Sequence, residues 1–306
     1  MKKTTIVIPA RHEIYLQQTV DDILAKARGD IEILIVLDNY WPDPILNDHP
    51  NVTLVHWGGR RGMRAAINTG AELGKGDFLM KVDAHCLFEE GFDVTLQENC
   101  DVDWLVVPRR YSLRPETWER KPAKERPVID YEFLHFPEID GNGHLGLHAR
   151  NWKERARERT AAEFDIDENM SFQGSCWFMP MNYFRDLCYP MDEENYGMFI
   201  GEPQEIGLKV WLSGGKCMIN KKTWYAHLWK GQGYRDIFRE KYGFGYTRVG
   251  KNELRRGNDF STRFWFNNEW KDRTHDLSWL IDRFSPVPSW PEEREAWTQM
   301  PQITTS

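Results

Sequence analysis

Between residues 31 and 37 the chain reads IEILIVL, six apolar residues interrupted by one glutamate. So short and apolar a run, rich in β-branched residues, reads as a strand buried on both faces, as in a parallel sheet covered by helices. Its neighbours keep the pattern. Thr4–Pro9 (TTIVIP) and Val52–Trp57 read as strands and Asp77–Val82 as a fourth, while Tyr15–Ala27 and Gly62–Leu73 carry apolar residues at helical spacing. Strand–helix–strand at this interval predicts an α/β domain with right-handed crossovers. Ligands in such sheets lie beyond the carboxyl ends of the strands, which singles out the residues after Ile8, Leu37, Trp57 and Val82.

Composition sets the outer bounds. A chain of 306 residues is long enough for one large α/β domain, or a domain with an appendage, around a sizeable core. Its net charge of −7 does not mark a general polyanion binder, although a local basic groove is compatible with it. Cysteines 86, 100, 176, 188 and 217 are odd in number and form no CxxC pair, which fits reduced thiols in a cytoplasmic protein. No apolar run approaches the roughly 18–20 residues of a membrane helix. The apolar stretch in MKKTTIVIPARHE is too short for a signal peptide.

Beyond the first hundred residues the periodicity changes. Ser112 to Leu147 breaks into Pro, Gly and charge, as expected of a functional or mobile loop. Asn151–Phe164 reads as a basic amphipathic helix, Phe172–Met179 as a return to order, and Glu202–Leu212 as a further helix. The tail from Lys230 is rich in Arg, Trp and Phe, and its closing SPVPSWPEEREAW is expected on the surface.

Chemistry concentrates in KVDAHCLFEEGF, residues 81–92. Asp83 and His85 are two apart at a strand end, so both side chains point to one side. A carboxylate with an imidazole suits a divalent ion that accepts mixed oxygen and nitrogen ligands, such as Mn2+. About 0.6 such triplets are expected by chance in this composition, so position after a strand carries the argument, against a surface turn as the alternative. His227, in TWYAHLWKG, reads as a core histidine or as a third ligand to that pair. Asp38, in VLDNYWPD, and Glu13, in PARHE, end successive strand candidates, where each is either a ligand contact or an ordinary turn or helix-start residue. GGRRGMRAAINTG at 58–70 lacks G-x-G-x-x-G and follows the third strand, which argues against a nicotinamide enzyme. Arginines 60, 61 and 64 there face either a pyrophosphate or solvent. KYGFGYTRVG echoes an RNA-recognition strand without the module around it. Residues 230–273 and 109–128 each carry a basic excess among aromatics, fit either to track a phosphate backbone or to be a solvated surface.

The run TIVIPARHE…IEILIVLDN…RRGMRAAINTGAELGKGDFLMKVDAH resembles the nucleotide-binding half of a family 2-like GT-A glycosyltransferase. MSFQGSCWFMPMNYF…MDEEN…GEPQEIGLKVWLSGG…HL resembles the acceptor half of polypeptide N-acetylgalactosaminyltransferases. Together they cover most of residues 4–228. The resemblance implies a Rossmann-like, mostly parallel sheet flanked by helices, with residues 1–110 as the nucleotide-sugar half and 171–229 as the acceptor half. Residues 111–170 would be a mobile loop and basic helix, and 230–306 an aromatic, basic extension. It implies that Asp38 and Glu13 contact the uridine of a UDP-sugar, in a site shared with Pro9, Arg11, Arg61 and Arg64. Asp83 and His85 form a D-x-H motif with His227 as third ligand for Mn2+ or Mg2+, acting as a Lewis acid on the diphosphate. Gly174 and Ser175 lie beside the donor sugar, and Glu202 and Glu205 fall on the acidic motif beneath it. Inverting family 2 enzymes commonly carry an aspartate where this chain has Pro203, which cannot take a proton. Either Glu202 or Glu205 serves as base, or the reaction retains configuration by same-face attack.

The compact form also resembles phage and virome glycosyltransferases, some of them similar to enzymes acting on 5-hydroxymethylpyrimidines in DNA. The expected acceptor is therefore the hydroxymethyl group of modified cytosine in double-stranded DNA. The alternatives are a glycan or protein hydroxyl, or a non-catalytic nucleotide-sugar or DNA-binding protein on the same scaffold. A sugar nucleotidyltransferase would want a G-x-G-T-R-type opening that is absent here.

Overall fold

A computed structural model of the chain describes residues 2–139, 145–246 and 249–298. The first half alternates as its sequence predicts: β1 (Lys3–Ala10), α1 (Leu16–Lys26), β2 (Asp30–Asp38), β3 (Val52–Trp57), α2 (Gly62–Leu73) and β4 (Phe78–Val82). Next come β5 (Cys86–Phe88), α3 (Phe92–Glu98) and the long β6 (Trp104–Arg114). Short pieces then pair locally, β7 (Glu119–Arg120) on β6, β8 (Glu132–Leu134) with β11 (Ala149–Asn151), and β9 (Glu138–Ile139) with β10 (Leu145–Gly146). The chain continues through α4 (Lys153–Glu158), β12 (Ile166–Glu168), β13 (Cys176–Pro180), α5 (Met181–Leu187), α6 (Glu193–Tyr196), α7 (Glu202–Leu212) and β14 (Lys216–His227). Helices α8 (Gln232–Tyr242), α9 (Lys251–Phe266) and α10 (Leu277–Phe284) close it.

The main sheet runs β12-β14-β6-β13-β4-β1-β2-β3. β1 is parallel to β2 and β4, β2 to β3, and β6 to β14, while β13 lies antiparallel between β4 and β6. Alternation along the strands divides the core. Ile6 and Ile8 of β1, with Ile33, Ile35 and Leu37 of β2, face one side with Val20 and Ile23 of α1. Val7 and Val36 face the other, with Ile67 of α2, Trp211 of α7 and Trp265 of α9. That two-sided burial is why IEILIVL is nearly continuously apolar.

Two expectations are corrected and a third is refined. The helix expected over 151–164 is only α4 with a separate 3-10 turn at Ala162–Phe164, because KERARE has no buried residue to hold a longer one against the core. The stretch from 112 to 147 is largely organised by β6, β7, β8 and a two-pronged Arg109–Asp130 ion pair at 2.7 and 2.8 Å, although residues 140–144 lie outside the described residues. The closing Pro–Trp segment runs over the surface with Ser289 and residues 292–295 exposed, but it is anchored rather than loose: Val287, Trp290 and Trp297 are buried, and the Trp290 indole donates to the Leu134 carbonyl at 2.6 Å. Its aromatics cover apolar side chains of Phe136 and Phe266, an attraction that composition alone does not position. Residues 247–248 and 299–306 of the extension lie outside the described residues.

Candidate metal and nucleotide-sugar site

A cavity of about 590 Å³ opens at the carboxyl ends of β1, β2 and β4. Parallel pairing brings Pro9, Asp38 and Asp83 to one edge, and β13, α7 and β14 close the other side with Gly174, Ser175, Glu202 and His227. Arg11, Glu13, Arg60, Lys81, His85 and Lys230 also line the cavity.

At its floor three donor atoms converge. His227 Nε2 lies 3.0 Å from His85 Nε2 and 3.2 Å from Asp83 Oδ2, and His85 Nε2 lies 3.7 Å from that oxygen. Bonds of about 2.1 Å at right angles place neighbouring donors about 3.0 Å apart, so one face of an octahedral ion fits this triangle. One oxygen and two imidazole nitrogens suit Mn2+, which accepts mixed ligands, better than they suit Mg2+. Asp83 and His85 reach the cluster from the turn after β4 rather than from the strand itself, while β14 brings in His227, whose strand pairs with Cys86 of β5. Among the described residues these three form a group able to hold a metal ion.

The protonation states agree with ligation. Burial depresses the His227 imidazole to about 4, against the opposing pull of Asp83. Burial, reinforced by the Lys230 charge, also lowers His85 despite Glu13 beside it. Both rings are therefore neutral near pH 7 with a lone pair to give. Burial alone would raise Asp83, but Lys81 and the two histidines together hold its carboxyl well below the usual range.

Two lysines escaped the sequence reading. Lys81 is buried in the middle of β4 and its ammonium donates to Asp83 Oδ1 and to the Gly174 carbonyl, 4.0 Å from Glu202. Lys230, just after β14, donates to both oxygens of Glu13 at 2.7 and 2.9 Å. The signal for Lys81 was present: one lysine inside FLMKV, two residues before Asp83 and so on the same side of the strand.

The other predicted residues divide. Asp38 borders the cavity while its carboxylate accepts the backbone N–H groups of Arg61 at 2.7 Å and Gly62 at 3.1 Å, fixing the turn into α2. Gly62 has φ of +88°, and a side chain there would also strike Met198. Arg11 lines the cavity with Arg60; burial and the Arg60 charge both lower its pKa. Glu202 sits under Gly174, where any Cβ would collide with its carboxylate, and accepts the indole N–H of Trp177. Burial raises its pKa against the influence of Lys81. Ser175 hydrogen-bonds the Tyr225 hydroxyl at 2.7 Å, and its carbonyl accepts the Asp83 N–H at 2.9 Å.

Arg64, Glu205 and Arg61 are placed elsewhere. Arg64 is fully buried, paired with Glu205, bonded to the Ile200 carbonyl and stacked 4.1 Å from the Tyr196 ring centre. Glu205 is also held by Lys209 at 2.8 Å. The expected pyrophosphate contact and the expected second catalytic carboxylate are thus partners of each other, because Glu205, about 4.5 Å further along α7 than Glu202, meets Arg64 and Lys209 instead of the cavity. Arg61 lies over the Trp57 ring at 4.6 Å and borders a smaller adjoining cavity with Arg60 and Arg256.

Residues 5–188 match the glycosyl transferase family 2 domain. The chain belongs to glycosyl transferase family 2. Polypeptide N-acetylgalactosaminyltransferase 4 of Mus musculus is 23% identical over 244 residues, which cover 74% of this chain and 39% of that protein. Polypeptide N-acetylgalactosaminyltransferase 5 of Caenorhabditis elegans is 21% identical over 283 residues, 88% of this chain and 42% of its own length. The chain thus spans about two fifths of these curated relatives. The crystal structure of GalNAc-T7 with UDP, GalNAc and Mn2+ superposes with a TM-score of 0.56 at 17% identity, over 76% of this chain and 44% of that one. That likeness is one of fold, the GT-A arrangement expected from the sequence. The family match ends at Cys188, so it includes Asp83 and His85 but not Glu202 or His227. Those two are placed at the site by the structure. Among the described residues no helix is long and apolar enough to cross a membrane.

Proposed function

We propose that this family 2 glycosyltransferase is metal-dependent and moves a sugar from a UDP-sugar to a hydroxyl acceptor, with the 5-hydroxymethyl group of modified cytosine in duplex DNA as that acceptor. The observation that carries the reading is the triangle of Asp83 Oδ2, His85 Nε2 and His227 Nε2 at the floor of a cavity that Arg11 and Arg60 also line. A divalent ion held there, Mn2+ or Mg2+, supplies Lewis-acid stabilisation of the diphosphate leaving group. Arg11 and Arg60 are near enough for the Arg60 charge to lower the Arg11 pKa, and a bound anion would relieve that repulsion. Pro9 and Asp38 border the uridine end, and Gly174 and Ser175 leave room for the donor sugar.

Glu202 is the remaining carboxylate beneath that space, but Trp177 and the nearby Lys81 fix it. With Pro203 next to it and Glu205 turned away, a free general base is missing from the residues the sequence nominated. This favours same-face attack and retention: the acceptor oxygen bonds to the anomeric carbon as the bond to the phosphate oxygen breaks, and the acceptor proton passes to that oxygen. The DNA acceptor is supported by the smaller cavity beside the main one, which Arg60, Arg61 and Arg256 line together with Glu193 and Glu253, a small positive excess on which Arg61 and Arg256 are exposed. Names of the curated relatives favour a second reading, transfer to a polypeptide hydroxyl.

Nucleoside and peptide mass spectrometry on one reaction set separates them. The protein is incubated with Mn2+, a panel of UDP-sugars, DNA containing 5-hydroxymethylcytosine, and Ser/Thr peptides. A sugar mass on the nucleoside, lost with EDTA, is the expected result. A sugar on the peptide alone replaces the acceptor, and binding of UDP and Mn2+ with no turnover on any donor supports a non-catalytic scaffold.

A further inference from the structure

Glu13 does not sit as a free nucleotide-facing carboxylate. Both its oxygens accept the Lys230 ammonium, at 2.7 and 2.9 Å, and Oε2 lies 3.3 Å from Nδ1 of His85. The contact to His85 is electrostatic in its present alignment, since the ring N–H does not point along it. The opposite nitrogen, Nε2, is the atom that joins Asp83 and His227 in the triangle. Glu13, Lys230 and His85 are all nearly buried, with side chains 11%, 4% and 6% exposed, so their order is fixed by protein groups rather than by solvent.

We propose that Glu13 is a positioning residue of the metal centre: it holds the proton of His85 on Nδ1, so that the Nε2 lone pair faces the ion, and Lys230 holds Glu13 in place. This rests on the metal-dependent reading above. An imidazole has two ring nitrogens, and a proton on Nε2 would block ligation by that atom. A carboxylate beside Nδ1 selects the competent tautomer and increases the basicity of the ligand, as partners beyond the coordinating atoms do in other histidine metal sites. Lys230 offsets the negative charge this adds near the Asp83 carboxylate, leaving the ion positive enough to attract a diphosphate. It also ties the segment after β1 to the segment after β14, three residues beyond the ligand His227.

The test compares two affinities of Glu13→Gln. Manganese uptake is read by the loss of the free Mn2+ electron paramagnetic resonance signal, and UDP binding is read by calorimetry in EDTA. The expected result is a 10- to 100-fold weaker affinity for Mn2+, with UDP affinity in EDTA within about twofold of the unmodified protein. Nitrogen-15 NMR of metal-free protein should show His85 protonated at Nδ1, and a mixed tautomer in the variant. Unchanged Mn2+ affinity with weakened UDP binding in EDTA overturns the proposal and returns Glu13 to the nucleotide. If Glu13→Gln does not fold because Lys230 is left unpaired, the double variant with Lys230→Met removes that charge, and the same loss of Mn2+ affinity is expected. An unmodified protein that takes up no Mn2+ instead sinks the metal reading itself.

Discussion

Two buried groups of charge lie on either side of the start of α7, and they differ in what surrounds them. Around Glu205 the charges are complete: Arg64, Lys209 and neighbouring backbone groups use up the carboxylate, and the guanidinium rests on Tyr196. Around Asp83 the donors point at a common centre, and the cavity stands open above them. The first arrangement is a joint between α2, α6 and α7. The second gathers three metal-ligating atoms within 3.0–3.7 Å of one another beneath an open cavity, which is how a ligand site differs from a structural ion pair. Glu202 and Glu205, three residues apart on one side of α7, belong to different groups because each meets different partners along the helix, Trp177 and Lys81 for the first, Arg64 and Lys209 for the second.

The contrast breaks most visibly by deletion. Glu205→Ala leaves Arg64 charged and buried, and a stability loss of about 3–5 kcal/mol is expected in urea denaturation; activity per folded molecule should be retained. Asp83→Asn should do the reverse. It keeps an acceptor for Lys81, whose charge still has Glu202 at 4.0 Å, and removes the anionic ligand, so transfer should fall by about 100-fold or more, with a smaller loss of stability than Glu205→Ala. A variant in which these two outcomes are exchanged would show that the groups have been assigned the wrong way round. Gly174→Ala forces a methyl into Glu202, and a cost of about 1–3 kcal/mol is expected from overpacking, together with weaker binding of the donor sugar in calorimetry.

The pH dependence of metal-free protein gives a gentler test. His227 has its folded pKa depressed by burial to about 4, below its ordinary value of 6.5. Between those values the unfolded chain binds more protons, so stability should fall as pH drops from 6.5 towards 4. Glu13, held at about 2 by Lys230 and His85 against its burial, adds a loss of the same sign below pH 4.5. His227→Gln should flatten the upper part of the slope. At the smallest scale, Arg61→Ala and Arg256→Ala should each reduce the salt slope of duplex DNA binding by about 1 and leave UDP affinity unchanged.

Much of this was readable in advance. Strand β3 and helices α2 and α7 begin and end where residue patterning puts them, because each is bounded by a strong local signal and pairs with an adjacent element. The Asp83–His85 pair was visible through its place after β4, and its convergence with His227 through resemblance. What stayed hidden depends on contacts distant in sequence. Arg64 reaches Glu205 across 141 positions, and Lys230 reaches Glu13 across 217. Nothing local distinguishes those charged residues from solvated ones. The buried Trp290 and Trp297 were hidden for the same reason, since Pro, Glu and Trp in alternation look like surface until the partner that covers the rings is known.

The central claim is that Asp83, His85 and His227 hold the metal on which transfer depends. Anomalous diffraction from crystals grown with Mn2+ and UDP tests it most directly. A manganese peak bonded to Asp83 Oδ2, His85 Nε2 and His227 Nε2, with diphosphate oxygens completing the shell, is the predicted result. UDP bound in the cavity with no manganese at those three atoms would contradict it.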